Sequence, residues 1–86
     1  LAPILDFVGR QSAAVGVQLA HAGRKGSTRR PWDGTGAVDD GGWTPVGPDD
    51  RPFAPGYPVP AALEARGLRE VVDAFRRAAR RARDLG

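Results

Sequence analysis

The segment from Ala14 to Ala20 (Ala-Val-Gly-Val-Gln-Leu-Ala) is the only convincing β-strand in this sequence of 86 residues. Side chains alternate along a strand, which puts Val15, Val17 and Leu19 on one face and Gly16, Gln18 and Ala20 on the other. The first face is apolar enough to pack under helices, and the second is small apart from one amide. One strand cannot form a sheet, because unpaired buried backbone groups are costly. We therefore expect it to pair with strands that this chain does not contain.

Helices are predicted on both sides of this strand. Apolar residues recur at steps of three and four over 65–85, which predicts an amphipathic helix with a mostly Arg-rich opposite face, and Gly86 suits its C-terminal end. Residues 1–12 have the pattern of the tail of another helix. The chain opens at Leu1 rather than at Met and closes directly after a helix. We expect it to be a piece of a longer protein.

A long loop is predicted over 21–60, and it holds most of the 12 glycines and 8 prolines. A loop of this length in a compact domain is unusual unless it has a function. Its aromatic residues, Trp32, Trp43, Phe53 and Tyr57, indicate that it folds over something, because disordered segments have few aromatics.

The order is helix, strand, long loop, helix, which is one repeat of an alternating α/β protein. In a (β/α)₈ barrel the loop that follows a strand lies on the catalytic face. The chain has no Cys and one His, so disulfides and an ordinary zinc site are excluded. It also lacks the ~18 consecutive apolar residues of a membrane span. We expect a soluble, cytoplasmic protein.

The net charge of +3 does not indicate a nucleic-acid partner, because every basic residue except Lys25 is Arg and this bias runs through the whole chain. A basic loop around Lys25, Arg29 and Arg30 has two interpretations. It lines an entrance for anionic NAD(P)H, or it is simply solvated.

The run from Gly16 to Lys25 (Gly-Val-Gln-Leu-Ala-His-Ala-Gly-Arg-Lys) closely resembles the third barrel strand of the old yellow enzyme family. The resemblance continues in collinear order through the following pieces: Arg30-Pro31-Trp32, Gly42-Trp43, Gly47-Pro48, Pro52-Phe53 and Glu70–Phe75. The subgroup that it most resembles is that of the bacterial xenobiotic reductases. The resemblance implies a fragment of a (β/α)₈ (TIM) barrel, with helix 1–12, strand 14–20, loop 21–60 and helix 65–85.

The resemblance also implies an FMN-dependent oxidoreductase that takes hydride from NAD(P)H and passes it to a small molecule with an activated double bond, such as an enone. We expect the parent protein to be a homo-oligomer, and the 86-residue chain to be inactive alone. The alternative is a non-catalytic fragment or interaction piece, which needs other chain segments to fold.

In this family the strand-three glutamine hydrogen-bonds the flavin ring, so the resemblance implies that Gln18 binds FMN. An amide donates and accepts at once, as the pyrimidine edge of a flavin requires. The alternative is a buried amide that bonds only to backbone. Ala20 corresponds to a position beside the substrate pocket, or it is small only for barrel packing.

His21 and Arg24 follow the strand, and no catalytic role is assigned to either. The substrate-binding histidines of the family correspond to a pair beyond Gly86, and His21 has the parity of Val17, which points it away from the flavin. We expect His21 to hold the loop by hydrogen bonds. Arg24 shapes the loop or lies near the cofactor. The sequence departs from the family at Asp49-Asp50-Arg51, where a small Ser-Ala-like segment is usual, and at Glu64, where a hydroxyl usually opens the helix.

Overall fold

The structure, a computed structural model, describes residues 1–85. Its regular elements are α1 (Ala2–Gly9), β1 (Val46–Gly47), β2 (Ala61–Ala62) and α2 (Ala65–Asp84). The chain forms two compact units, one made of residues 1–20 with the chain from Arg69 onward, the other of residues 21–68. Two helices and a parallel strand pair are compatible with a fragment of an α/β domain.

The helix α1 is shorter than the helix predicted over 1–12. Pro3 lies in its first turn, where a missing N–H costs nothing. Asp6 and Arg10 form an ion pair one turn apart. The helix ends at Gly9, a poor helix former, and the chain turns at Ser12, whose φ of 57° lies in the left-handed region.

The helix α2 lies where the apolar periodicity predicts a helix over 65–85, and it ends at Asp84. Gly86, expected to end this helix, lies outside the described residues. The apolar stripe remains partly exposed, with 52% of Leu68, 58% of Val72 and 36% of Phe75 accessible to solvent. An amphipathic helix with so exposed a stripe has more apolar surface than its neighbours among the described residues cover.

The segment 14–20 has neither helical hydrogen bonds nor a strand partner among the described residues, and its pairing with strands outside this chain stays a prediction. The expectation of one strand only is wrong, because two short strands pair elsewhere in the chain. The physical reason is that a strand exists only as part of a ladder, and the alternating pattern specifies faces but supplies no partner.

The two strands that do pair lie where a loop and its end were predicted. Val46 is opposite Ala61 and Gly47 is opposite Ala62, in parallel. Residues 48–60 make the crossover that parallel strands need. Ala61 donates its N–H to the Pro45 carbonyl at 2.8 Å, which fixes the register.

The unit of residues 21–68 has small residues at its centre instead of large apolar ones. The buried residues are Gly26, Ser27, Gly36, Pro45, Gly47 and Pro60. The Oγ of Ser27, which is 4% exposed, accepts a 2.7 Å hydrogen bond from the N–H of Trp43. Backbone contacts between such residues hold this unit together, because no buried apolar cluster lies among the described residues.

Candidate functional site

Gln18 is an exposed residue of the 14–20 segment whose amide has no hydrogen-bond partner among residues 1–85. Its neighbour on the same predicted face, Gly16, has open space where a side chain would begin. Ala20, the other member of that face, is also exposed. An uncommitted amide between small residues fits the edge of a planar ring that offers both donors and acceptors, as a flavin does.

The opposite predicted face lines an apolar groove. Val15, Val17 and Leu19 contribute to a groove of about 710 Å³, together with apolar side chains of α1 and of the last turns of α2. Val17 is 59% exposed, although it is a β-branched apolar residue. Gly16 of the other predicted face also borders this groove, whereas Gln18 and Ala20 do not line it.

His21 is exposed, and its side chain bonds to a residue two positions away. Its Nδ1 accepts a 3.0 Å hydrogen bond from the N–H of Gly23, a residue with a φ of 56°. This contact supports the short 3₁₀ turn at Gly23–Lys25. This hydrogen bond is local, and no acidic side chain bonds to His21 among the described residues.

Arg24 is part of an ion cluster with Asp49 and Arg51. Its Nη2 lies 3.0 Å from Oδ1 of Asp49, and 27% of its side chain is exposed. The other carboxylate oxygen, Oδ2, accepts from Nε of Arg51 at 2.9 Å and also from its Nη2. The backbone N–H of Arg51 adds a 3.1 Å bond to Oδ1. One carboxylate thus joins two guanidinium groups from distant parts of the loop.

The protonation states of this cluster follow from the same contacts. The side-chain hydrogen bond from Arg51 is the main cause that lowers the pKa of the Asp49 carboxyl below its usual value, and the Arg51 backbone N–H and the charge of Arg24 add to it. The reciprocal bond from Asp49 raises the pKa of Arg51. Asp49 therefore stays ionised to a lower pH than an ordinary aspartate.

The aromatic residues of the loop fall into two groups. Phe53 and Tyr57 pack edge to face with their ring centroids 5.1 Å apart, and the Lys25 Nζ lies 4.2 Å from the centre of the Phe53 ring. Trp32 and Trp43 are 76% and 65% exposed. The first group folds the loop on itself, whereas the two indoles remain accessible.

Sequence reasoning missed Asp49. The Asp49-Asp50-Arg51 run stands out only as a departure from the family pattern, and nothing in its spacing indicates a partner 25 residues earlier. The one available signal is that the loop 21–60 contains five Asp and four Arg, so ion pairs are expected within it. That signal does not specify which Arg is bound.

Two other kinds of site have no support within residues 1–85. No group of three or more potential metal-ligand side chains converges there. None of the described helices combines the length and the apolar character that crossing a bilayer requires.

Comparison with known proteins shows two partial relatives. The chain is 39% identical over 85 residues to the NADH:flavin oxidoreductase of Gibberella zeae, an alignment that covers 92% of the chain and 21% of that protein. It is 31% identical over 83 residues to the NADPH dehydrogenase of Geobacillus thermodenitrificans, covering 96% of the chain and 21% of that protein.

A comparison with profiles of known protein families finds no match. The chain spans about a fifth of the length of the two curated relatives above. Both relatives support the resemblance to the old yellow enzyme family that the motif around Gln18 indicates.

Proposed function

We propose that this chain is a segment of an FMN-dependent NAD(P)H oxidoreductase with a (β/α)₈-barrel fold, which reduces activated alkenes such as enones. The proposal is supported by collinear similarity to an NADH:flavin oxidoreductase and to an NADPH dehydrogenase over more than nine-tenths of the chain. The single observation that carries it is the exposed, unpartnered amide of Gln18 within the motif that resembles the flavin-binding strand.

The residues of the chain bind and orient; they do not carry out the redox step. FMN, when bound, would supply the hydride transfer between NAD(P)H and the alkene. The Gln18 amide donates one hydrogen bond and accepts another, which selects one orientation of the flavin pyrimidine edge. The methyl group of Ala20, two residues further on, leaves space beside the ring for a substrate.

The parent protein would also supply what the 14–20 segment lacks. Neighbouring barrel strands would pair with its backbone, and apolar side chains would cover Val15, Val17 and Leu19, which are exposed by 48%, 59% and 36%. The loop 21–60, which follows the segment, would contribute to the rim of the substrate pocket.

A second candidate function is that of a non-catalytic segment, which acts only by associating with other protein segments. The observation that favours it is the absence of buried large apolar side chains among residues 1–85, together with the apolar groove. It does not exclude the first proposal, because a barrel segment also needs other chain segments to complete its core.

The first experiment is the substitution Gln18→Ala in the full-length protein. Loss of two hydrogen bonds of ordinary strength weakens flavin binding by about tenfold. Binding is measured by quenching of flavin fluorescence on titration with apoprotein, and activity by NADPH oxidation in the presence of an enone. Gln11→Ala is the matched control, because Gln11 is the other glutamine of the chain and lies in the exposed turn after α1.

Gln11→Ala is expected to bind flavin like the wild type. Equal flavin affinity in both variants would remove Gln18 from the site. A wild-type protein that binds no flavin would contradict the function itself.

A further inference from the structure

Asp49 connects two pieces of the 21–68 unit that lie 25 positions apart in the sequence. It receives Arg24 from the 3₁₀ turn at Gly23–Lys25, and it lies just after β1 in the same unit. Arg51 closes the other side of the carboxylate. All of these contacts lie within one compact unit of the chain.

We propose that Asp49 is a positioning residue, which by holding Arg24 fixes the turn at Gly23–Lys25 against the chain after β1 and so sets the rim of the substrate pocket. The assignment of this turn to the rim of a substrate pocket rests on the proposed function, whereas the fixing of the turn by Asp49 does not. The proposal also assigns Arg24, for which the sequence left two uses open, to the loop and not to the cofactor.

The cluster is stronger than a surface ion pair because its members are partly shielded and bonded several times. Side-chain exposure is 27% for Arg24 and 30% for Asp49, so solvent screens this pair less than it screens the pairs along the helices. Hydrogen bonds between charged groups are also shorter and stronger than neutral ones. Both oxygens of Asp49 are engaged, which leaves the carboxylate little freedom to rotate.

The bond from Arg24 is the one that constrains the loop. Asp49 and Arg51 are two residues apart, and their contact shapes only a local turn. Arg24 and Asp49 are separated by 25 positions, and their contact closes the intervening chain. Closing a long segment removes more conformational freedom than closing a short one, so the Arg24 bond has the larger effect on loop order.

Asp50 provides a matched control. It is the adjacent residue, has the same charge and is exposed, but it forms no hydrogen bond among the described residues. Asp49→Asn and Asp50→Asn change the net charge of the same loop by the same amount. Only the first removes the carboxylate that binds Arg24.

The test is hydrogen–deuterium exchange of the full-length protein, combined with steady-state kinetics. Asp49→Asn is expected to raise the exchange rate of amides in 22–28 by about three- to tenfold, because local opening is no longer opposed by the ion pair. Arg24→Gln is expected to have the same effect, and the double variant no further effect. Asp50→Asn is expected to leave exchange in 22–28 at the wild-type rate.

The kinetic readout separates positioning from general damage. Asp49→Asn is expected to raise KM for the alkene about threefold or more, with kcat and flavin affinity within twofold of wild type, because the rim and not the flavin is disturbed. Asp49→Glu, which keeps the carboxylate, is expected to recover most of the exchange protection and of the KM.

Several results would overturn the proposal. Equal exchange in the Asp49→Asn and Asp50→Asn variants would show that the bond between Arg24 and Asp49 does not order the turn. Increased exchange with unchanged KM would show that the turn does not belong to the rim. If the wild-type protein neither binds flavin nor oxidises NADPH, the proposed function fails, and the exchange comparison still decides whether Asp49 fixes the turn.

Discussion

Gly36 meets two constraints at once, and each excludes a side chain for a different reason. Its φ of 98° lies in a region that other residues rarely adopt, and a Cβ built on it would lie 2.8 Å from the carbonyl oxygen of Gly56. That oxygen is not free to move aside, because it accepts a 2.9 Å hydrogen bond from the N–H of Ala37. The close approach is therefore part of the fold of the 21–68 unit.

Substitution of Gly36 by Ala is expected to destabilise the full-length protein by about 2–4 kcal/mol, through backbone strain plus the contact with Gly56. Gly34→Ala isolates the first effect. Gly34 has a similar φ of 102° but open space around its Cβ position, so we expect a cost of about 1 kcal/mol. Both are measured as shifts in the denaturant midpoint. Equal shifts would mean that the Gly56 carbonyl moves to make room for the Cβ, and that backbone strain alone accounts for the cost of replacing Gly36.

Single residues also show where sequence reasoning stops. The parity of the 14–20 segment predicts that Gln18 lies apart from the apolar residues Val15, Val17 and Leu19; in the structure Gln18 does not line the groove, but Gly16 of the same predicted face does. The partner of Arg24 is not accessible in this way. Spacing reports which residues share a face over a few positions, whereas the Arg24–Asp49 contact depends on the path of the whole loop.

At the scale of elements, the helix α2 is the one whose sequence most fully determines its structure. Its hydrogen bonds are local and its apolar positions repeat at helical spacing, so it lies where the pattern indicates. The structure of the strands is determined less by their own sequence, because their hydrogen bonds are not local. The short pair β1 and β2 depends on a contact across residues 48–60, and the 14–20 segment has the composition of a strand without a partner.

The apolar stripe of α2 gives a prediction at this scale. If the parent protein covers the stripe, Phe75→Ala is expected to cost about 3–5 kcal/mol in the full-length protein, as for other buried aromatic residues. Arg77→Ala, on the opposite side of the helix, is expected to change stability by less than about 0.5 kcal/mol. Chemical denaturation of both variants measures the difference. A cost below about 1 kcal/mol for Phe75→Ala would show that the stripe stays open to solvent, as it partly is here, where 36% of Phe75 is exposed.

The whole molecule is held together by local structure more than by a core. Its helices have their own hydrogen bonds, and its loop unit has backbone contacts and ion pairs, but no buried apolar cluster lies among the described residues. Burial of apolar surface, which contributes most to the stability of most domains, is therefore a small contribution in this chain. Ile4, Phe7 and Val17 are each at least 59% exposed, so their side chains are available for packing against other protein segments.

The lack of a buried apolar cluster among the described residues predicts how the 86-residue chain behaves when it is produced alone. Cooperative unfolding requires many contacts that are lost together, and here few apolar contacts exist to be lost. We expect the far-ultraviolet circular dichroism of α2 to decline gradually on heating, without a sigmoidal transition. We also expect the exposed groove to bind an apolar fluorescent dye at room temperature.

The full-length protein is the control, and we expect it to melt in a sharp transition with little dye bound. A monomeric 86-residue chain that melts sharply and binds no dye would contradict this account. Such a chain would have a core of its own, and the exposed side chains of α1 and of the 14–20 segment would then need another explanation. A gradual transition that becomes sharp when the remaining part of the parent protein is added would instead support the proposal. It would mean that the exposed residues are one side of an interface that the rest of the protein completes.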